Sequence, residues 1–200
     1  IWSTRLAVHL LMRILGKPEE GRYVELRRKW ETRVEWKFLL FFELQALLAI
    51  VLSLPFFLPT LNRRPDFGLL EIVAIVLWLI AIVGESVADW QLSRFKSDPS
   101  NEGEVCDAGL WRYSRHPNYF FEWLVWVSFA VYALSSPWGW LGLVSPALIL
   151  YFLFRVTGIP ATEEQAVRSR GEKYRRYQET TPAFFLWFPS ERKVRDNRVG

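Results

Sequence analysis

Apolar runs close to bilayer length alternate along this chain with short segments dense in charge. Residues 37–58 (KFLLFFELQALLAIVLSLPFFL) and 67–88 (FGLLEIVAIVLWLIAIVGESVA) are almost free of Lys and Arg. About 20 apolar residues in a helix cross the roughly 30 Å of hydrocarbon in a membrane, so both segments read as transmembrane helices. The same reasoning predicts spans at about 1–13, 118–134 and 138–155. The pattern therefore predicts an all-α, polytopic helical bundle with about five spans in one membrane domain, 1–200. Loops are expected at 14–36 and 89–117, with a polar tail over 156–200. Ser135, Ser136 and Pro137 make a tight turn between the last two spans, and Pro55 should kink the end of the second. Two short helices are expected outside the spans. One runs from Tyr23 to Trp30; the other starts after Pro160, where Thr162 and Gln165 have capping-box spacing. Ile1 lies inside an apolar stretch with no basic n-region or small-residue cleavage site, so this end reads as part of a span, with further spans expected upstream, and not as a signal peptide.

Charge sharpens the topology. The chain is 51% hydrophobic and 23% charged, and the two classes are segregated. Loop 13–37 holds eight Lys and Arg, the tail from Arg155 ten, and the middle loop four. Odd spans run one way and even spans the other, so all three basic segments fall on one side, which the positive-inside tendency makes cytoplasmic. A net charge of +4 lying beside membrane spans sets topology and attracts anionic lipid or a phosphorylated ligand, and nucleic acid is not expected. One cysteine, Cys106, excludes an intramolecular disulfide and a cysteine-rich metal site.

The chemistry concentrates in 107–122, DAGLWRYSRHPNYFFE. One interfacial aromatic and one snorkelling Arg would serve a membrane entrance, whereas this run carries Arg115, His116, Asn118, Tyr119 and Glu122. Pro117 is a favoured first helical residue, leaving free N–H groups that, with Arg112 and Arg115, suit an anionic group. Asn118 and Glu122 are one turn apart and face one way. Other polar residues have plainer readings. His9 is either a proton donor or a hydrogen-bonder in helix packing. Glu43, costly within a span, pairs with Arg5 or Arg13 if it is not functional. Glu163 and Glu164 compensate a helix dipole, the basic run Arg168–Arg176 lies on anionic lipid, and Trp138 and Trp140 anchor the interface.

The stretch GLWRYSRHPNYFFEW resembles the signature of the steroid 5-alpha-reductase-like superfamily, especially its branch of uncharacterised DUF1295 domains. RLAVHLLMR with EEGRY at the start and GEKYRRYQETTPAFFLWFP at the end extend the likeness over most of the chain. The resemblance implies about seven spans and NADPH-dependent reduction of an activated carbon–carbon double bond in a steroid-like or other lipid-soluble substrate. It also implies site residues. Glu122 and Asn118 would sit by the nicotinamide, with His9 as a further catalytic candidate, and Tyr113, Arg115, Arg112, His116 and Tyr119 would meet the phosphates and ribose. Asp89 and Lys96 would be further cofactor residues, and Arg155, Glu164, Tyr174 and Tyr177 would close the pocket from the tail. Where the family pattern has Gly before the glutamate, this chain has Phe121. No metal is implied. The expected setting is a bacterial inner membrane or the endoplasmic reticulum, with the cofactor site facing the cytoplasm and membrane lipids as neighbours.

The RHP-x-Y element is shared with membrane methyltransferases that act on isoprenylcysteine and phospholipid head groups, so S-adenosylmethionine is the alternative cofactor. Phosphate count separates the two, because a dinucleotide phosphate demands more arginine than one carboxylate. Arg94, Lys96, Arg112, Arg115, Arg168, Arg170, Arg175 and Arg176 all fall on the expected cofactor side, which favours NADPH. A non-catalytic sterol-binding membrane protein is a third reading.

Overall fold

The computed structural model describes residues 21–62, 67–156 and 158–190, and among these the regular structure is entirely helical. The expected span at 1–13, with His9, Arg5 and Arg13, lies outside the described residues.

The chain divides into two units, Ile1–Leu48 and Ala49–Gly200. In the first, helix α1 (Gly21–Trp30) is followed by the start of α2 (Val34–Leu52). Aromatic rings join them: Trp30 meets Phe38 edge-on at 4.9 Å, and Tyr23 lies 6.1 Å from Phe42. Arg27 sits over the Phe38 ring, and the Lys37 ammonium donates to the Trp30 carbonyl at 2.9 Å. Glu43 is exposed on α2.

The second unit continues through a single turn, α3 (Leu54–Phe57), into α4 (Leu69–Ser97) and α5 (Pro117–Ala133). A 3₁₀ turn at Gly139–Leu143 leads to α6 (Val144–Arg155), and two short helices follow, α7 (Ile159–Arg170) and α8 (Glu172–Thr180). The core of this unit is the α4–α5 pair. Ala74, Ala81 and Ala88 recur every seventh residue of α4 and are buried, as are Ser128, Ala130 and Ala133 on α5. Small residues at these positions let two helix backbones approach closely, the usual way of packing where lipid supplies no hydrophobic drive. Gly84 adds to this stripe: a Cβ there would overlap the ring of Phe121. The Phe121 side chain thus fills the gap that Gly84 leaves on α4.

Among the described residues, three helical stretches are long and apolar enough to cross a membrane: Val34–Leu61, Leu69–Ser97 and Gly139–Arg170, the last apolar up to Arg155. Expected spans 37–58, 67–88 and 138–155 coincide with them to within two residues at their starts, except that the first stretch begins three residues earlier. The expected span 118–134 is α5, whose 17 residues rise about 25 Å, at the short end for crossing. Two boundaries differ from expectation. Helix α4 runs on to Ser97, nine residues into the expected loop, because Asp89, Gln91, Arg94 and Lys96 end the apolar run without breaking the helix. It stops where Pro99 follows Asp98, whose side chain accepts the Ser100 N–H at 2.9 Å. Helix α7 starts at Ile159, three residues before Thr162, so no capping box forms; the Thr162 hydroxyl instead donates to the Gly158 carbonyl at 3.0 Å.

Candidate functional site

Helix α4 carries Asp89 and Lys96 to the level where α5 begins, and the chain between them returns along the outside as an irregular segment closed by the turn Gly109–Arg112. Trp111 pins that turn: its indole N–H donates to the Ala88 carbonyl at 3.0 Å, and the Gln91 side chain accepts the Leu110 N–H at 2.9 Å. His116 then occupies the position before Pro117 with φ −137° and ψ 59°, outside the helical region that a residue before proline avoids.

The C-terminal segment locks onto this motif from the other side. The Arg115 N–H donates to the Pro182 carbonyl at 2.9 Å and the Trp187 N–H to the Tyr113 carbonyl at 2.9 Å. The Ser114 hydroxyl donates to the Phe184 carbonyl at 2.8 Å and is itself fully buried. Phe184 fills the space between Phe120, Trp123 and Phe154. Gly171, at φ +56° and ψ −128°, makes the turn between α7 and α8, a conformation glycine alone adopts readily, and so folds α8 back toward the motif.

Arg115 is the hub. Its Nε donates to Glu163 Oε1 at 2.6 Å, and one Nη donates to the carbonyls of Gln178 at 2.9 Å and Thr181 at 2.5 Å. Glu163 also meets His116 Nε2 at 3.3 Å and accepts from the Gln178 amide at 2.9 Å. Burial alone would push the Glu163 carboxyl up, but these hydrogen bonds and the Arg115 charge win and hold it at about 2. One carboxylate therefore ties the 114–118 motif to both tail helices. Glu163, which dipole compensation would explain equally well in sequence, is structurally central here, while its neighbour Glu164 is exposed and pairs with Arg168 at 2.5 Å.

Around this hub lies a cavity of about 210 Å³ lined by Lys96, Cys106, Trp111, Arg115, His116, Asn118, Tyr119, Thr162, Arg170, Tyr174 and Tyr177, with apolar Leu92, Phe95, Val105 and Ala166. The structure thus gathers Lys96, Arg115, His116, Asn118, Tyr119, Tyr174 and Tyr177 from the sequence candidates into one place. His116 and Tyr119 stack with rings 5.3 Å apart, and the Tyr119 hydroxyl lies 3.2 Å from that of Thr162. The Tyr177 hydroxyl donates to the carbonyls of Trp111 and Ser114. Burial raises the Tyr177 phenol and pushes that of Tyr174 up to about 12, aided by the Glu163 charge and opposed by Arg115, so both remain protonated donors at neutral pH. Burial likewise raises the Cys106 thiol. Among the described residues no Asp or Glu lines the cavity, while Lys96, Arg115 and Arg170 do. Arg170 is held by one bond, Nε to the Glu104 carbonyl at 2.8 Å.

The other candidates lie around the cavity. Asp89 accepts from the Asn118 amide at 3.2 Å, and Glu122, exposed one turn further along α5, is close enough to Glu85 and Asp89 to feel their charge. Phe121 points into α4, so it does not obstruct the cavity. Tyr113 packs edge-on against Phe188, Arg112 borders a separate open groove with Lys173 and Arg176, and Arg155 is exposed at the end of α6. Sequence reasoning did not place Cys106, Trp111 or Thr162 at the site. A tryptophan between leucine and arginine in a loop is a readable signal for the second, since it has no membrane interface to anchor. Among the described residues no group of His, Cys, Asp and Glu is arranged to hold a metal.

Comparison with known proteins agrees with the motif. The chain is 28% identical to an uncharacterized protein of Schizosaccharomyces pombe over 92% of its own length, and spans 60% of the length of that relative. No solved structure matches it. The model of the protein family of unknown function DUF1295 matches residues 1–181, which include the whole RHPNYFFE motif and the helices that enclose its cavity, and the chain belongs to that family.

Proposed function

We propose that the protein is an integral membrane oxidoreductase that uses NADPH to reduce an activated carbon–carbon double bond in a steroid-like or other lipid-soluble substrate, with the cofactor entering from the cytoplasmic side. The observation that carries this reading is the cavity beneath the start of α5, lined by three cations and no carboxylate, with aromatic walls. Such a lining fits an anionic ligand with planar parts, because Lys96 and Arg170, which pair with no carboxylate among the described residues while Arg115 is held by Glu163, favour phosphate oxygens. At about 210 Å³ the cavity would seat one end of the dinucleotide, the remainder reaching along the surface. Lys96 and Arg170 would hold the phosphates, Tyr174 and Tyr177 would close the pocket, and Asn118, fixed by Asp89, would orient the nicotinamide near Glu122 at the membrane boundary. When bound, NADPH supplies the hydride. The family match supports a membrane protein of this kind.

The test is thermal unfolding of the detergent-purified protein with NADPH, NADH and S-adenosylmethionine in turn. A ligand that binds only the native state must raise its apparent stability. NADPH is expected to raise the transition most. Stabilisation by S-adenosylmethionine without any by NADPH would make the site that of a methyltransferase.

A further inference from the structure

The last described segment, Thr181–Ser190, is tied down along its backbone by the bonds at Pro182, Phe184 and Trp187 and by the Ser190 N–H donating to the Thr180 carbonyl at 2.8 Å. It nevertheless turns three large side chains outward: Phe185 is 56% exposed, Trp187 71% and Phe188 72%. A rigid strap that buries one phenylalanine, Phe184, and presents three aromatic rings on its other face needs something apolar on that face. Position names the occupant. The Phe185 ring lies 6.1 Å from Phe120 and 6.2 Å from Trp123, residues in the first two turns of α5, where the chain passes from the polar loop into an apolar helix. Those turns stand within about 10 Å of Pro117 along the helix axis, the depth to which interfacial segments sink among lipid headgroups.

We infer that Thr181–Ser190 lies in the headgroup layer of the host membrane, with Phe185, Trp187 and Phe188 inserted in it, so that the strap holding the site motif is anchored to lipid. The rings flank the first two turns of α5, where the chain enters its apolar helix, and aromatic side chains are the residues that settle at this depth.

The full chain, reconstituted in phosphatidylcholine vesicles, tests this with an environment-sensitive fluorophore on Phe188→Cys in a Cys106→Ala background; Trp187→Cys serves as a second site, and Glu179→Cys on exposed α8 as the aqueous control. The expected result is blue-shifted emission at 188 and 187, quenched by lipids carrying a nitroxide near the headgroup and protected from aqueous iodide, with the opposite pattern at 179. Iodide quenching at 187 and 188 equal to that at 179 overturns the proposal. Protection from iodide without quenching by the nitroxide lipid also overturns it, because a protein partner or a second copy would then cover the rings.

Discussion

At the scale of single residues, the electrostatics of the site turn on Glu163. Its folded carboxyl is held at about 2, below the ordinary 4.5, so its contribution to stability is fully present above about pH 4.5 and is lost as pH falls toward 2. A displacement of that size corresponds to about 3 kcal/mol at neutral pH, as an order of magnitude. Glu163→Gln should therefore lower the thermal transition by a constant amount between pH 7 and 5, and the gap to the parent should shrink progressively below that. A gap that stays constant down to pH 3 would show that the carboxylate's charge is not what holds the tail. Two cations of the cavity should separate in the same kind of experiment. Lys96 is exposed and makes no ion pair among the described residues, so Lys96→Ala should weaken NADPH binding roughly tenfold or more, as loss of one charge-assisted hydrogen bond does, without moving the transition. Arg115→Ala should lower both, because its guanidinium ties together Glu163, Gln178 and Thr181. The sequence made Arg115, His116 and Asn118 readable as candidates, since nothing in a membrane entrance needs them. It did not show that Arg115 faces Glu163, because the two are 48 residues apart and no local spacing links them.

At the scale of elements, hydropathy located the apolar helices and misplaced their ends. A helix continues past its last apolar residue until a breaker stops it, which is why α4 keeps its polar turns to Ser97 and delivers Lys96 to the cavity. Loop residues 113–115 and 182–187 pair across the motif through contacts that no periodicity announces. Packing of α4 on α5 rests on the fit of Phe121 to Gly84, and here the departure from the family pattern has its physical account: a ring on one helix is matched by a missing Cβ on the other. Gly84→Ala should then cost about 1–3 kcal/mol, the usual penalty for overpacking. Replacing Phe121 by Gly in the same chain should recover much of it, since neighbouring sites couple. Thermal scans of the two single variants and the double variant measure this coupling. Additive losses would mean that the ring and the glycine do not share the space.

At the scale of the molecule, the second unit has two ends about a membrane apart. At one, the Asn62 side chain donates to the Ser135 carbonyl at 3.4 Å, joining the two connections that the charge count places on the outside. At the other, Asn118 meets Asp89 and the cavity opens. Gly68 and Asp89 mark the corresponding points on α4, and 21 residues of helical rise separate them by about 30 Å. The basic segments that follow Ser97 and Arg155 belong to the cavity end, so topology and site stand or fall together. Thr60 and Ser100 are exposed near the two ends. Cysteines placed there one at a time report sidedness cleanly, because the native Cys106 is buried, with its thiol raised by that burial, and reacts poorly in the folded protein. In intact cells an impermeant thiol reagent should label Thr60→Cys and spare Ser100→Cys, and disrupting the membrane should expose the second. The reverse pattern would turn the cavity away from the cytoplasm, where NADPH is made, and would remove the reductase reading while leaving the helices and their cavity as they are.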